Sequence, residues 1–490
     1  MKWTMLVLML LTLLSRFIGL GREMALAYFY GASRVSDAFL IAQSVPALFM
    51  SFVTAGIGTG FIPAYRHEEK DGREQGFSTQ VLFVTALLGL LVFGFLGLFL
   101  PIVLRLLAGG FDDSAMELAL YFARISIWGV FFMGFSSFFG AWLQVREKVV
   151  LASLVGIPFN VVTISFIVLS SRSGLWLLAL GGVLAVAAQS LYLLLLSRWQ
   201  GFSLKFGERS PAGLKQMLGL AVPAVIGDSV QQIDIMVDKA LGSGFGVGAV
   251  SALAYAGRAM TAIEGIFITS VLTVFYPAIA RMAAATDLEG VKSELKSAIV
   301  GVSLFLVPAV FGIMALSRPV VELLFMRGAF GAEEAAATAG ILFFYMAALL
   351  GRGLQTLFSR VFFSLGKPRP PMVVAIVSVV LNIVLNVVFA RTIGLVGLAL
   401  SNTITAFLGL AALSVWLQKT LGHLGLSSTL VTLCKILGAS GAMALLARGA
   451  YRGGLPLLVA IAVGGLAYVG LVVVLRIVPI QMLSKFFKRG

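Results

Sequence analysis

Two arginines lie inside the first membrane-length apolar segment, which extends from about residue 5 to about residue 30. Arg16 is about 12 residues into that segment, or about 18 Å at the rise of an α-helix, farther than its side chain reaches towards water. Arg22 and Glu23 follow, and Asp37 opens the next apolar segment, where it could neutralise one arginine. A charge at bilayer depth costs about 3 kcal/mol on insertion scales and usually faces a cavity inside the protein. These four residues therefore predict a charged interior that binds an anion.

Both arginines must reach the cavity for this interpretation to hold. Arg16 and Glu23 are seven residues apart and share a helix face, but Arg22 would point about 240° away from Arg16 on an ideal helix. Gly19 and Gly21 lie between the two arginines, and we expect the helix to bend or unwind there. The alternative is that these charges form ion pairs that only join helices.

Two further arginines interrupt later apolar segments, Arg258 in the eighth and Arg352 in the tenth. We expect Arg258 to face the charges of the first helix across a central gap. A guanidinium binds phosphate through two hydrogen bonds and stays charged at any working pH. A cavity lined by several of these groups suits a pyrophosphate or another polyanion, whereas a carrier of cationic drugs would need unpaired carboxylates there.

A second polar cluster is a weaker candidate for a cation site. Asp234 and Asp238 are four residues apart on one face of the seventh segment, and Asn382 and Asn386 are spaced in the same way in the eleventh. Asn402 lies in the twelfth. Carboxylate and amide oxygens are the ligands that a hard cation such as Na⁺ prefers. The alternative is hydrogen bonding between helices.

The composition indicates an all-α integral membrane protein. Of 490 residues, 60% are hydrophobic and only 12% are charged, against roughly 25% charged in soluble proteins. The mean hydropathy is +1.03. We count about 14 membrane-spanning segments of roughly 20 residues or more. Their approximate cores are 5–30, 36–64, 78–108, 115–145, 149–170, 174–198, 215–241, 247–280, 295–316, 336–365, 371–390, 394–418, 428–447 and 455–479.

The net charge of +15 does not indicate a nucleic-acid partner. The basic residues fall in short loops between apolar segments, without interleaved aromatic residues. Alternate loops are richer in lysine and arginine, and by the positive-inside rule these loops are cytoplasmic. With an even number of helices, both termini are then expected in the cytoplasm.

The sequence offers little for a metal site, a cofactor or catalysis. Cys434 is the single cysteine, and neither His67 nor His423 has partners at metal-ligand spacing. The best candidate for enzyme chemistry on polyprenyl phosphates is the run Asp112-Asp113-Ser114. That run is better explained as the cap of a helix, so we do not expect an enzyme.

An internal repeat relates the two halves of the chain. Residues 59–64 (TGFIPA) resemble residues 273–278 (TVFYPA), and residues 134–148 resemble residues 353–367, at offsets of 214 and 219. Two six-helix lobes of the same orientation would surround a central cavity that holds the substrate site. The alternative is chance similarity between apolar helices that end in proline and a charge.

The repeat sets the expected domain limits. We expect an amino-terminal lobe at 1–199, a cytoplasmic linker at 200–214, a carboxyl-terminal lobe at 215–420 and a further pair of helices at 425–480. The linker carries Trp199, Phe202 and Phe206 beside basic residues, a composition typical of a segment that lies in the membrane interface.

Several motifs resemble those of the MurJ (MviN-type) lipid II flippases, within the multidrug/oligosaccharidyl-lipid/polysaccharide exporter superfamily. The most specific is the opening run SRFIGLGRE at residues 15–23. The others are YGAS at 30–33, SDAF at 36–39, FIP at 61–63, YAGR at 255–258, SRVFFSLGKP at 359–368, NIVLN at 382–386 and GLVGLA at 394–399.

The resemblance implies an alternating-access carrier in the bacterial cytoplasmic membrane. Its substrate would be lipid II, the undecaprenyl-pyrophosphate-linked precursor of peptidoglycan. By motif position, the cavity roles fall on Arg16, Arg22, Glu23, Asp37 and Arg258, and the last two helices would line a groove for the lipid tail. We expect the carrier to work as a monomer among membrane lipids, without a cofactor and with Na⁺, H⁺ or the membrane potential as driving force.

Two departures from the family pattern reduce the number of cavity charges. Many members carry an arginine in the second helix, where this chain has the run FMSF at 49–52, and Gly257 stands where an acidic residue often precedes the arginine of the eighth helix. Two other transport functions therefore stay open: a flippase for another polyprenyl-linked oligosaccharide, or a cation-coupled multidrug antiporter.

Overall fold

The computed structural model describes residues 2–206, 210–422, 425 and 427–477. Over these residues the chain forms seventeen α-helices and no strand, which confirms the all-α prediction. The helices are α1 Lys2–Tyr30, α2 Arg34–Lys70, α3 Glu74–Leu107, α4 Asp113–Ser126, α5 Gly129–Val145, α6 Val149–Ser153, α7 Gly156–Ser173, α8 Trp176–Trp199, α9 Pro211–Gly242, α10 Ala249–Ala284, α11 Leu288–Ala315, α12 Ser317–Phe325, α13 Ala332–Ser364, α14 Arg369–Thr392, α15 Leu395–Leu421, α16 Ser427–Arg452 and α17 Leu457–Val474.

Membrane-spanning helices dominate the described part of the chain. Eleven helical segments are long and apolar enough to cross a bilayer, or up to thirteen if each of two bent pairs is one span. The predicted number of 14 is therefore not confirmed. Helix α1, which carries the first two arginines, is not among the eleven.

One predicted span, 115–145, is two helices rather than one. Helices α4 and α5 meet at an angle of 48°. At the bend, the N–H of Trp128 bonds to the carbonyl of Ile125, and that of Val130 bonds to Ile127. These bonds reach back three residues instead of four, which tightens the chain locally and interrupts the α-helical ladder. The apolar pattern continues through the bend, so composition alone does not predict it.

The chain divides into two compact units. The first contains Trp3–Ala254 and Arg327–Phe330, and the second contains Tyr255–Met326 and the residues from Gly331 onward. The division falls inside α10, and α9 packs against α2 within the first unit. The lobe limits inferred from the repeat stay a prediction.

An aromatic cluster forms the core of the first unit near the end of α2 that carries Lys70. Phe61 of α2 stacks on Phe77 of α3 at 5.7 Å and meets the edge of Phe138 of α5 at 5.5 Å. Phe202, from the connection between α8 and α9, contacts Phe138 at 5.9 Å and Trp142 at 5.5 Å. The connection is therefore anchored in the core of this unit.

Polar contacts hold the rest of the connection against α3. Ser203 Oγ donates to Gln75 Oε1 at 3.1 Å, and the N–H of Lys205 donates to the hydroxyl of Thr79 at 3.0 Å. These bonds satisfy backbone and side-chain groups that would otherwise lie unpaired at the membrane boundary. Trp199 and Phe206 are 78% and 73% exposed; their location in the membrane interface stays a prediction.

In the second unit, the last two helices pack on α11. Ile436 and Met443 of α16 lie against Leu304 of α11 in one buried cluster. Tyr468 of α17 donates its hydroxyl proton to the carbonyl of Leu304 at 2.8 Å. Helices α13, α14 and α15 pack together beside α11 and carry most of the buried polar side chains that the structure describes in this unit.

Replacing Phe202 tests whether the connection is part of the folded core. We expect Phe202→Ala to lower the free energy of unfolding by about 3 kcal/mol, because it empties a buried aromatic site. Phe206→Ala, at an exposed position of the same segment, should change it by less than about 0.5 kcal/mol. Thermal unfolding of the detergent-solubilised protein measures both. Equal effects would show that Phe202 does not anchor the connection.

Candidate functional site

Close contact with α7 fixes the position of α1. A Cβ atom on Gly156 would overlap Ser15 Oγ, so a larger residue at that position would displace the serine side chain. One helical turn further on, Gly19 of α1 faces the amide of Asn160. Small residues at both positions let the helices approach closely, as in many membrane-helix pairs. Helix α1 is continuous from Lys2 to Tyr30, so the expected unwinding at its glycines does not occur.

Arg22 is held between a carboxylate and an aromatic ring. Its Nη2 lies 2.6 Å from Glu23 Oε1, and the two side chains are 16% and 4% exposed. Its guanidinium also lies over the ring of Phe159 on α7, 5.3 Å from the centroid. The pair offsets the cost of burying each charge, and the ring adds a cation–π contact. A guanidinium has five N–H donors, so this arrangement leaves further donors for a ligand.

Asp37 has a different role from the predicted neutralisation of an arginine. It is 2% exposed, and it accepts bonds from the N–H of Gly248 at 2.6 Å and from the N–H and hydroxyl of Ser251, both at 2.7 Å. Gly248 precedes α10, so Asp37 supplies the cap that a glycine side chain cannot. These hydrogen bonds replace the water that the buried carboxylate has lost. Asp37 therefore needs no arginine partner among the residues that the structure describes.

Tight turns surround this cap at the end of α2 that carries Arg34. A Cβ atom on Gly248 (φ +86°) would lie 2.5 Å from the carbonyl oxygen of Ala32. The N–H of Ala329 donates to the carbonyl of Tyr28 at 2.8 Å. The end of α1, the start of α10 and residues 327–330 therefore form one hydrogen-bonded junction in the first unit.

The predicted residues of the second unit lie in two places. Arg258, on α10, is exposed, and its expected position opposite the first-unit arginines stays a prediction. Arg352 Nη2 donates to Asn402 Oδ1 at 2.7 Å. Asn386 Nδ2 donates to Asn382 Oδ1 at 2.7 Å, and Asn382 Nδ2 lies 3.3 Å from the hydroxyl of Thr405. These amides link α13, α14 and α15 through internal hydrogen bonds.

The structure describes the two halves of the predicted cation site separately. Asp234 and Asp238 lie on α9 in the first unit, and the three asparagines lie in the second. Residues 335–490 contain no aspartate or glutamate, so the asparagine cluster has no carboxylate from its own helices. A joint site for Na⁺ stays a prediction.

Sequence reasoning missed the partners of two predicted residues. Phe159 was indistinguishable from other aromatic residues in an apolar helix. The Gly246-Val-Gly248 run before α10 was the available signal for Asp37, because a helix that starts after glycine needs a cap from elsewhere in the chain.

A family model described as "Lipid II flippase MurJ" matches residues 26–455. The chain belongs to the MurJ family. Relatives named probable lipid II flippase MurJ include one from Vibrio cholerae serotype O1, 28% identical over 425 residues that cover 82% of this chain and 80% of the relative. Another, from Rickettsia prowazekii, is 25% identical and covers 84% and 83%. The resemblance to MurJ inferred from the motifs is therefore confirmed.

Solved structures support the same fold. A lipid II flippase MurJ in an inward closed conformation matches with a TM-score of 0.83 at 22% identity, covering 96% of this chain and 98% of that one. An inward-facing multidrug resistance MATE family transporter of the MOP superfamily matches with a TM-score of 0.72 at 16% identity, covering 84% and 96%. Of these two structures, the MurJ structure has the higher TM-score. The MurJ family is a family of transporters.

Replacing Asp37 tests its role as a cap. We expect Asp37→Asn to lower the free energy of unfolding by about 2 kcal/mol, because charge-assisted bonds to α10 are lost. Asp113→Asn is the control, since Asp113 is exposed in the first turn of α4. Thermal unfolding with and without each substitution measures the difference. An unchanged unfolding temperature in Asp37→Asn would contradict this role.

Proposed function

We propose that the protein translocates lipid II from the cytoplasmic to the outer leaflet of the bacterial cytoplasmic membrane by alternating access. The observation that carries the proposal is the match of residues 26–455 to the MurJ family, together with a partly buried, pre-positioned guanidinium in the first helix. Lipid II has a pyrophosphate, and a fixed guanidinium is the side chain best suited to bind it.

In this mechanism, Arg22 provides the principal contact to the pyrophosphate. Glu23 and Phe159 hold its guanidinium before the substrate arrives, which lowers the entropy lost on binding. Arg16 and Arg258 add positive charge, and Arg352 is a further candidate. The polyprenyl tail stays in the lipid beside α16 and α17, because moving it through a charged cavity would cost about 0.8 kcal/mol per methylene.

The proposed orientation follows from the distribution of charge. Helix ends and connections rich in lysine and arginine, such as those at 66–73, 146–148 and 281–296, lie at the cytoplasmic side. Asp37 and its cap on α10 are then at the outer side, and Glu68 is at the cytoplasmic side. Both termini are in the cytoplasm.

The energy source is also part of the proposal. Moving one elementary charge through 100 mV is worth about 2.3 kcal/mol. That energy is enough to shift the equilibrium between two conformations of the carrier. Binding of Na⁺ or H⁺ at the aspartate and asparagine clusters would provide the same bias. We propose that a single copy of the chain suffices.

Complementation is the experiment that tests the substrate. We expect the protein to restore growth to a strain depleted of its own lipid II flippase. A parallel strain that lacks a flippase for a polyprenyl-linked O-antigen unit serves as control and should not be restored. Rescue of the control alone, at equal amounts of protein in the membrane, would contradict lipid II as the substrate and favour the other glycolipid.

A further inference from the structure

Helix α2 has a second buried carboxylate near its other end. Glu68 is fully buried, and its Oε1 lies 2.7 Å from the position that a Cβ atom of Gly213 would take, in the first turn of α9. Arg73 Nε is 3.3 Å from Glu68 Oε2. Thus α2 presents one carboxylate to the start of α10, through Asp37, and another to the start of α9, through Glu68.

The two carboxylates differ in how well they are satisfied. Asp37 accepts three hydrogen bonds, whereas neither carboxylate oxygen of Glu68 accepts one from the described residues. Ser210, which caps α9, uses its own hydroxyl for the N–H of Gly213. Burial without hydrogen bonds is costly for a carboxylate, and the positive end of α9 and the ion pair with Arg73 reduce that cost. Glu68 therefore opposes the contact in which it is buried.

Glycines of α2 favour the same contact. A Cβ atom on Gly60 would lie 2.5 Å from the carbonyl oxygen of Met217, and one on Gly56 would lie 3.3 Å from Cβ of Ala221. Gly58, between them on the other face, has nothing within 4 Å. The seam between α2 and α9, defined by Gly56, Gly60, Met217 and Ala221, is therefore closely packed, and such packing stabilises helix pairs in membranes.

The other end of α9 is attached to the same unit. Ser243, just after α9, accepts a hydrogen bond from the N–H of Gly110 at 3.0 Å. A Cβ atom on Gly110 would overlap the backbone of Gly244. Movement of α9 away from α2 at the Glu68 end would therefore pivot about this attachment.

We propose that the seam between α2 and α9 opens and closes during transport, and that Glu68 keeps its closure reversible. Close packing of the glycines draws the helices together, and the unsatisfied carboxylate favours separation, which returns it to water. Two opposing contributions of similar size leave the open and closed states close in free energy, as a two-state element requires. Glu68 acts here as a positioning residue, without contact to the substrate. The proposal rests on the proposed transport function.

Disulfide formation across the seam measures its closure without any substrate. Gly56→Cys and Ala221→Cys, on a Cys434→Ser background, place two Cβ atoms close to the separation found in disulfides, about 3.5–4.5 Å. The rate of cross-linking by a mild oxidant in proteoliposomes then reports the closed fraction. Monodisperse elution and the unfolding temperature identify variants that fold.

We expect two substitutions to change this rate in opposite directions. Glu68→Gln, a neutral side chain of the same shape, should raise the rate by about tenfold, equivalent to about 1.4 kcal/mol. Glu69→Gln is its control, at an exposed neighbour, and should leave the rate unchanged. Gly60→Val should lower the rate by about tenfold, while Gly58→Val should not. A rate in Glu68→Gln equal to or below that of Glu69→Gln would overturn the proposal, even if Gly60→Val fails to fold.

Transport by the cross-linked protein separates this proposal from the proposed function. The disulfide-locked protein should not translocate lipid II, and a reductant should restore translocation. Full translocation in the locked state would overturn the opening of the seam. If the reduced protein moves no lipid II while the cross-linking rates change as expected, the substrate assignment fails and the reversible seam stands.

Discussion

The structure depends on the compensation of buried charge. A charged side chain that is withdrawn from water is stable only where a partner replaces the water that it has lost. Arg22 obtains this from Glu23 and from the ring of Phe159, and Asp37 obtains it from the start of α10. These contacts determine which faces of α1 and α2 turn inward in the first unit. The same contacts fix the position of the Arg22 guanidinium, which we propose as the ligand of the pyrophosphate.

Helix α2 links this constraint to conformational change. Its carboxylate at the Arg34 end accepts three hydrogen bonds, whereas its carboxylate at the Lys70 end accepts none from the part of the chain that the structure describes. A carrier needs contacts that can be exchanged between states, because a fully satisfied interface at both ends would hold one conformation. Asp37 and Glu68 are both buried but differ in the hydrogen bonds that they accept. We relate this difference, rather than their burial, to the opening of the seam between α2 and α9.

Periodicity and motifs predicted the all-α membrane fold and the MurJ family, because both depend on local apolar patterns and short runs. They did not predict the partner of Asp37, since Gly248 and Ser251 are 211 and 214 residues away along the chain. Nor did they reveal the bend between α4 and α5, whose cause is backbone hydrogen bonding rather than composition. The predicted core of the second span ends near residue 64, whereas α2 extends to Lys70, so Glu68 lies on the helix.

The central claim is that the guanidinium of Arg22 binds the pyrophosphate of lipid II. Translocation of lipid II in proteoliposomes by Arg22→Gln tests it most directly, with Arg34→Gln as control because Arg34 pairs with Asp112 at the exposed surface. We expect a loss of about tenfold or more in Arg22→Gln and little change in the control. Equal rates for Arg22→Gln and the unsubstituted protein, at equal amounts of folded protein, would contradict it.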